Sequence, residues 1–564
     1  ILADLGIIES ADFDDPAART RHIRRARRYF CCRRPARLAA KIKAHGRSVR
    51  WQDEVIAATA ASLFGAMLTI DPDRMIVLAY LVVSSATKRG GTPLAGVGFT
   101  CWAAYLAEIG RPLGLRQAVG VAGDDVSRAL ATAEGDQSRL VVAQGFAEAL
   151  TLHWSQPYNQ TTENLRSLFD RAVEFGLFDW ASLTASLYTQ SRLLRGDSLP
   201  ALFEDTTTLR MQVASFGNLR YERSMAKFQQ AQEVLMGRTD DLVTLTGSVV
   251  EEEAIRKELE EKEDVLGLFG FYHAKGMLAL FAGLPEDACR HFHSTLDANR
   301  GAASLSSVAS SWFLAAVAAY QTGDQVFARH CHRIVRRDGI EAIGPHRILA
   351  LKALRVLSRH PTGRSGRRRA HRLLMKAEAE ALNAGFVNEG ALIAECHGDA
   401  LAATGETSEA VKAYIVSESL YRRWGAIPAA ERVHKRVTSV YPPAHAEDSP
   451  AMSSETAGGP DELDRLRSLT QVLFEATQDG LMLLRPTGQV LLHNSAASNY
   501  VQPLSGDRFA VAAGLLDSLS GLATQAISGG SSIDREVEWR GRTVVVSVNP
   551  LRDRYRSVAA IALR

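Results

Sequence analysis

The chain has 564 residues, of which 46% are hydrophobic and 23% charged, with a formal net charge of +3. That length asks for more than one domain, and that balance excludes a disordered or collagenous chain. Six cysteines, none in a CxxC pair, exclude a disulfide or zinc framework and suit a reducing cytoplasm. No apolar run reaches the ~18 residues of a membrane span, since the longest candidate, from Val55 to Leu68, carries Thr59, Ser62 and Gly65.

In chain order, residues 1–50 form a basic lead-in. From Arg19 to Arg50 there are thirteen Lys or Arg and no acid. A solvated helix face with Ile23, Tyr29, Phe30 and Leu38 turned inward is favoured over a nucleic-acid or anionic-membrane patch, because no aromatic-interleaved or helix-turn-helix pattern accompanies the charge. Residues 51–130 read as long helices interrupted by KRGGTPLAGVGF, a turn and packing segment.

Residues 131–442 carry a repeat. A glycine returns about every 40 residues at the turn between helical patterns, at Gly196, Gly283, Gly323 and Gly405, with weaker copies at Gly237 and Gly363. The fifth residue after each of the four is alanine: Ala201, Ala288, Ala328 and Ala410. Glycine ends a helix cheaply in the left-handed conformation, and a small alanine lets the next helix pack closely. Phe271, Met277, Leu278 and Phe281 share one helical face, as do Trp312, Ala315, Ala316, Ala319 and Tyr320. A lone pair of such helices cannot bury its stripe, so an α-solenoid of TPR-like hairpins is predicted, with longer helices than the ~34-residue repeat allows.

A linker rich in Pro, Ser and Gly spans residues 443–461. Residues 462–564 then change character. ELDRLRSLTQVLFEAT is an amphipathic helix with Leu463, Leu466, Leu469, Leu473 and Phe474 on one side. GLMLLRP and QVLLHN read as strands, DREVEWRG and RTVVVSVNPL as a hairpin about Gly541, and YRSVAAIALR as a last strand. Short helices are expected between Phe509 and Ser528. The whole describes a small α+β sensor domain.

Two resemblances attach to these segments. EATQDGLMLLRPTGQVLLHNSAAS resembles the opening of a PAS domain, through Asp479 and Gly480 before the first strand, Gly488 in the turn, and Asn494, Ala496 and Ala497 after the second. VVVSVNPLRD resembles that family's closing strands, with Pro550 in place. The likeness covers about 100 residues and implies a ligand-sensing or dimerising module of unknown ligand. No flavin-reactive Asn-Cys pair is present, and His493, beside a strand, reads as a surface or turn residue rather than a haem ligand.

The array resembles the helical region of large bacterial signalling ATPases, in which a serine/threonine kinase domain, a P-loop ATPase, such an array and a sensor histidine kinase share one polypeptide. The likeness rests on HWSQPYNQTTENLRSLFDRAVEFGLFDWASLTASLYTQSRLLRGDSL, on GFYHAKGMLALFAGLPEDA, and on SLYRRWGAIPAAERVHKRVTSVYP. In the last, Tyr421, Trp424, Gly425 and Ala426 match an end-of-array motif, followed by Tyr441 and Pro442. The stretch from Asp71 to Gly110 resembles an earlier helix pair, with Gly91 and Thr92 replacing Asn-Ser. The resemblance implies ATP bound by an upstream domain, a two-component output and protein partners for the array. A PAS-like module stands where the kinase subtype usually has a GAF domain, which keeps an ATP-dependent transcription regulator and a non-switching scaffold as alternatives. Starting at Ile1 and stopping at ALR, the sequence reads as a piece of a longer polypeptide.

Chemistry is sparse. GxxxxGK[ST], the HRD and DFG set, Gly-x-Ser-x-Gly and a His-Glu phosphoacceptor helix are all missing from the sequence. Cys289, His291 and His293, like His330, Cys331 and His332, sit at i, i+2 spacing and point to different helix faces, so packing is expected rather than metal binding. VVEEEAIRKELEEKED reads as a solvated helix. No catalytic residue, cofactor site or metal site is assigned. The reading is the regulatory middle of a cytoplasmic signalling protein, with a possible homodimer through the PAS-like domain and nucleic acid disfavoured as a partner.

Overall fold

The computed structural model describes residues 15–46, 51–70, 72–298, 302–338, 344–358 and 363–440. Beyond them it describes 480–484, 489–493, 497, 501–503, 509–511, 519, 522, 525, 533–539, 542–552 and 557–563. The chain divides into two compact units, Ile1–Tyr441 and Pro442–Arg564.

The described part of the first unit is helical. It opens with α1 (Pro16–Cys31), α2 (Pro35–His45), α3 (Trp51–Ile70), α4 (Pro72–Arg89), α5 (Ala95–Glu108), α6 (Leu113–Glu134) and α7 (Gln137–Leu150). After a 3-10 turn at Leu152–Trp154 come α8 (Tyr158–Glu174), α9 (Phe178–Arg195), α10 (Leu199–Ser215), α11 (Leu219–Leu235), α12 (Glu252–Glu261), α13 (Val265–Phe281) and α14 (Pro285–Asp297). The series ends with α15 (Ser306–Thr322), α16 (Gln325–Asp338), α17 (Pro345–Leu357), α18 (Arg364–Asn383), α19 (Val387–Ala402), α20 (Thr407–Trp424) and α21 (Ile427–Val440).

Asp15 starts α1 by accepting from the backbone N–H groups of Ala17 and Ala18, with Pro16 in the first turn. The basic lead-in is amphipathic: Ala18, Ala26, Phe30, Leu38, Ala39 and Ile42 are buried, and its arginines are mostly exposed. Phe30 and Leu38 face inward as expected, whereas Ile23 and Tyr29 are only half-buried. The glycine-rich segment is a packing site. A Cβ on Gly96 would stand 2.6 Å from the Gly123 carbonyl oxygen, and one on Gly98 would stand 2.9 Å from Val82, so α5 crosses its neighbours at backbone contact.

From α7 onward the layers alternate. The odd-numbered α7, α9, α11, α13, α15 and α19 are buried around most of their circumference, whereas α8, α10, α18 and α20 bury one stripe each. The stripes expected on α13 and α15 are therefore not stripes: Phe269–Phe281 apart from Tyr272, and Ser307–Tyr320 apart from Ala309, are buried on every face. A helix apolar or small all round belongs to an inner layer.

Gly196, Gly237, Gly283, Gly323 and Gly405 adopt left-handed φ of 80°, 73°, 82°, 81° and 78°. Gly363 does not: it precedes α18 as its N-cap with φ −64°, so that copy of the repeat is a helix start. The glycine clock also runs twice as fast as the pattern of about 40 suggests, because Gly176, Gly217, Gly385 and Gly425 close the intervening helices. After such a glycine the following N–H folds back five residues, as in Leu284 to Ala279 at 2.9 Å and Ala426 to Tyr421 at 2.9 Å.

The alanine rule holds at three turns and fails at one. Ala288, Ala328 and Ala410 are fully buried and donate the first i−4 bond of their helices, to Leu284, Asp324 and Glu406. Ala201 is exposed. The turn after Gly196 is one residue longer, the first bond runs from Leu202 to Ser198, and Leu202 takes the buried position. Ala181 and Ala430 fill the equivalent place after Gly176 and Gly425.

In the second unit the described elements form one sheet, with β1 (Gly480–Leu484), β2 (Gln489–His493), β3 (Val501–Pro503), β4 (Phe509–Val511), β5 (Ile533–Trp539), β6 (Arg542–Arg552) and β7 (Ser557–Leu563) in the order β3-β4-β2-β1-β7-β6-β5. Each paired neighbour is antiparallel. The β5–β6 hairpin brings Trp539 opposite Arg542, and alternation buries Val546 and Val548 while Val545 faces out. Phe509–Val511, expected to begin helices, is a strand, and β3–β4 extends the sheet beyond β2. The linker, the helix at 462–477, Tyr441 and Pro442 lie outside the described residues.

Candidate functional site

The inner layer of the array meets itself. Helix α9 packs against α15 and α19, and α11 against α21, so helices far apart in sequence are neighbours. Between them runs a polar seam centred on α19. Its sequence, NEGALIAECHGD, places Asn388, Glu389 and Glu395 within an otherwise small and apolar run.

Asn388 donates to the carbonyl oxygens of Leu193 and Leu194, at 3.5 and 3.1 Å, in the last turn of α9, where the Leu193 oxygen also accepts from the Gly196 N–H. Glu389 is 1% exposed. Its Oε2 accepts from His346 Nε2 at 2.7 Å and Arg347 Nε at 2.7 Å; its Oε1 accepts from Arg347 Nη2 at 2.6 Å and Ser310 at 3.2 Å. Burial alone would raise this carboxyl, but Arg347 and then His346 overcome that and hold it at about 2. Burial pushes His346 down despite the facing carboxylate, so it stands as a neutral donor.

Six residues on, Glu395 accepts from Arg432 and from the Tyr421 hydroxyl at 2.9 Å, with Arg436 3.3 Å away. Burial opposes its ionisation, yet Arg432 leads the charges that hold it below the usual carboxylate range. Arg432 Nε also donates to the Phe281 carbonyl at 3.2 Å. Tyr421 and Trp424 are wholly buried, each edge-on to Phe281. Tyr421, Trp424 and Arg432 thus have a local physical role: they tie the last two helices to α13 and α19.

Both carboxylates have their acceptor sites taken, which leaves nothing to offer a substrate. Removing one member of such a buried ion pair would strand an uncompensated charge.

The four repeat glycines divide in two against this seam. A Cβ on Gly196 would lie 2.6 Å from the Asn388 backbone nitrogen, and one on Gly283 would lie 2.7 Å from Arg432 Cδ. Around Gly323 and Gly405 nothing stands within 4 Å. In the second unit Gly480 opens β1, while Asp479, Gly488 and Asn494 lie outside the described residues.

The histidine clusters serve packing. His293 stacks on Phe327 at 3.8 Å, His330 meets Trp312 edge-on, and His332 shares a 3.2 Å hydrogen bond with Tyr320. Helix α12 buries none of its side chains and pairs Arg256 with Glu253 and Glu260, the solvated helix expected there. Among the described residues no three His, Cys, Asp or Glu gather as a metal would require, and no helix is long and apolar enough to cross a membrane.

A cavity lined by Arg116, His153, Trp154 and Trp312 offers about 20 Å³, the room of one water. His153 inside it is pushed by burial, then by Arg116, down to about 3. The surface is more generous. At the α8–α9 and α10–α11 turns Phe175, Phe178 and Leu219 are 40%, 46% and 58% exposed, and Phe178 stacks on Phe216 at 4.8 Å.

Sequence reasoning missed Asn388, Glu389, Glu395, His346 and Arg347. Two acids six residues apart inside an apolar helix were the available signal. No family model matches the chain, and no curated protein or solved structure matches it.

Proposed function

We propose that the chain is a regulatory portion of a cytoplasmic bacterial signal-transduction protein, in which a TPR-like array binds protein partners and a PAS-like module senses a ligand or dimerises. The observation that carries this reading is the strand order. Without the added β3–β4 pair the sheet runs β2-β1-β7-β6-β5, with the last strand in the middle and the first beside it. Two strands, an intervening segment and a three-strand return are what the PAS resemblance calls for.

The array supports the other half of the reading. Its inner helices are closed on one another through the seam, so partners meet the outer surface, where the exposed aromatic cluster at Phe175 and Phe178 offers apolar area. The buried acids are saturated, which favours relay over catalysis in this chain. The six cysteines are all free thiols, in keeping with a reducing compartment. A parent polypeptide of the ATPase and sensor-kinase kind would supply ATP chemistry upstream and phosphotransfer downstream.

Sequencing the reading frame on both sides in the source DNA tests the proposal. A P-loop ATPase upstream and a histidine-kinase core downstream are the expected result. A downstream helix-turn-helix would replace the kinase by a transcription regulator. Stop codons beside Ile1 and Arg564 would remove the enzymatic parent and leave an adaptor. Sedimentation equilibrium of the whole chain checks the dimer: a monomer at all concentrations discards that role.

A further inference from the structure

Four of the six cysteines, Cys101, Cys289, Cys331 and Cys396, are buried, while Cys31 and Cys32 are both exposed and adjacent. Cys31 is the last residue of α1, and Cys32 caps it, its N–H donating to the Phe30 carbonyl. The two Sγ atoms lie 3.2 Å apart, and Cys31 Sγ is also 3.2 Å from the Arg28 carbonyl oxygen. Arg33 is drawn aside over the Tyr29 ring, at 3.9 Å from its centroid.

This pair is ill-suited to a disulfide. Adjacent Cα atoms stand about 3.8 Å apart across a trans peptide, below the ~4.4 Å at which an unstrained bridge begins. The Cys31 thiol is moreover held above its ordinary value, first by its hydrogen bond with Cys32 and then by partial desolvation, with Arg28 and Arg33 opposing. A protonated thiol is a poor nucleophile toward peroxide.

The same geometry suits a soft centre that takes both sulfurs. With bonds of about 2.3 Å, sulfurs 3.2 Å apart subtend roughly 90° at the atom they share. A tetrahedral metal with bonds of that length needs them ~3.8 Å apart, and a linear one ~4.6 Å. A trivalent arsenic atom, whose lone pair compresses its bond angles toward a right angle, fits the spacing as it stands.

We propose that Cys31 and Cys32 form a two-thiol binding site for trivalent arsenicals, arsenite or an organoarsenous acid. The reaction is a condensation. Two S–H and two As–OH bonds break, two As–S bonds form, and the thiol protons leave on the departing hydroxyls as two waters. Arsenic stays trivalent, so no oxidant or reductant is needed. The site lies in the first unit, far in sequence from the PAS-like segment, and does not depend on the function proposed above.

Phenylarsine oxide, added to the full-length reduced chain, is the test, followed by intact-mass measurement and titration of the fast-reacting thiols. One arsenical per chain is expected, with two fast thiols lost together and restored by 2,3-dimercaptopropanol but not by an equal concentration of a monothiol. Cys31→Ser and Cys32→Ser should each weaken binding by roughly 10²-fold or more, because each removes the second, intramolecular bond. Both side chains are exposed, so the double serine variant should keep the wild-type melt and bind none. Single variants that bind as tightly as the wild type would overturn the proposal, as would an adduct that persists in the folded double variant.

Discussion

The turns at Gly196 and Gly323 share the glycine-alanine spacing and almost one φ, 80° and 81°, although the turn after Gly196 runs one residue longer. They differ in what lies beyond them. Gly196 abuts Asn388, on the helix that closes the inner layer, whereas the space about Gly323 is open. Local sequence therefore specifies the turn, and tertiary closure decides how much the turn matters.

Breaking the seam itself should have the largest effect. Glu389→Gln leaves the Arg347 guanidinium buried without its counter-charge, and a loss of about 3–5 kcal/mol is expected by urea denaturation. Glu253→Gln on α12 removes an exposed pair and should leave the melt where it was. Equal losses for the two would mean that the seam is solvated.

Acid should sharpen the same contrast. The Glu389 carboxyl is held at about 2, below the ~4.3 of an unfolded chain. Its contribution is therefore complete above the unfolded value and is lost as pH falls from about 5 through 2. That loss is up to about 3 kcal/mol. Stability measured over this range should slope less in Glu389→Gln than in the wild type; parallel curves would refute the assignment.

Next come the glycines. Gly323→Ala should cost about 1 kcal/mol, the strain of a left-handed alanine. Gly196→Ala adds a collision with the Asn388 backbone and should cost about 2–4 kcal/mol. The comparison fails if the two melts shift alike.

The smallest effect is a gain. Glu263 is the described non-glycine residue with positive φ, 50°, where α12 ends. Glu263→Gly should raise stability by up to about 1 kcal/mol, read as a higher urea midpoint.

Much of the array was legible because its signal is local. Gly196, Gly283, Gly323 and Gly405 mark real turns, and three of their four alanines are the buried contacts expected. Two of the intervening turns lack the pattern, since Gly217 and Gly385 are followed at the fifth place by Glu222 and Gly390 rather than alanine, whereas Gly176 and Gly425 carry it. Ala201 misled because one added residue shifts where α10 begins. Strands β3 and β4 are three residues each, too short to show alternation. The seam was out of reach for a different reason: Asn388 and Leu193 are 195 residues apart, and no periodicity spans that interval.

Closure has an evolutionary corollary. A solenoid open at both ends can gain or lose a hairpin and merely grow or shorten, since each unit touches only its neighbours. Here Asn388 must arrive at the end of α9, and Arg432 at the end of α13, after a set number of intervening helices. Duplicating or deleting one hairpin between Gly196 and Asn388 would carry both partners past each other. The array is a counted ring of parts, and its lineage is expected to vary in surface loops while its hairpin number stays constant.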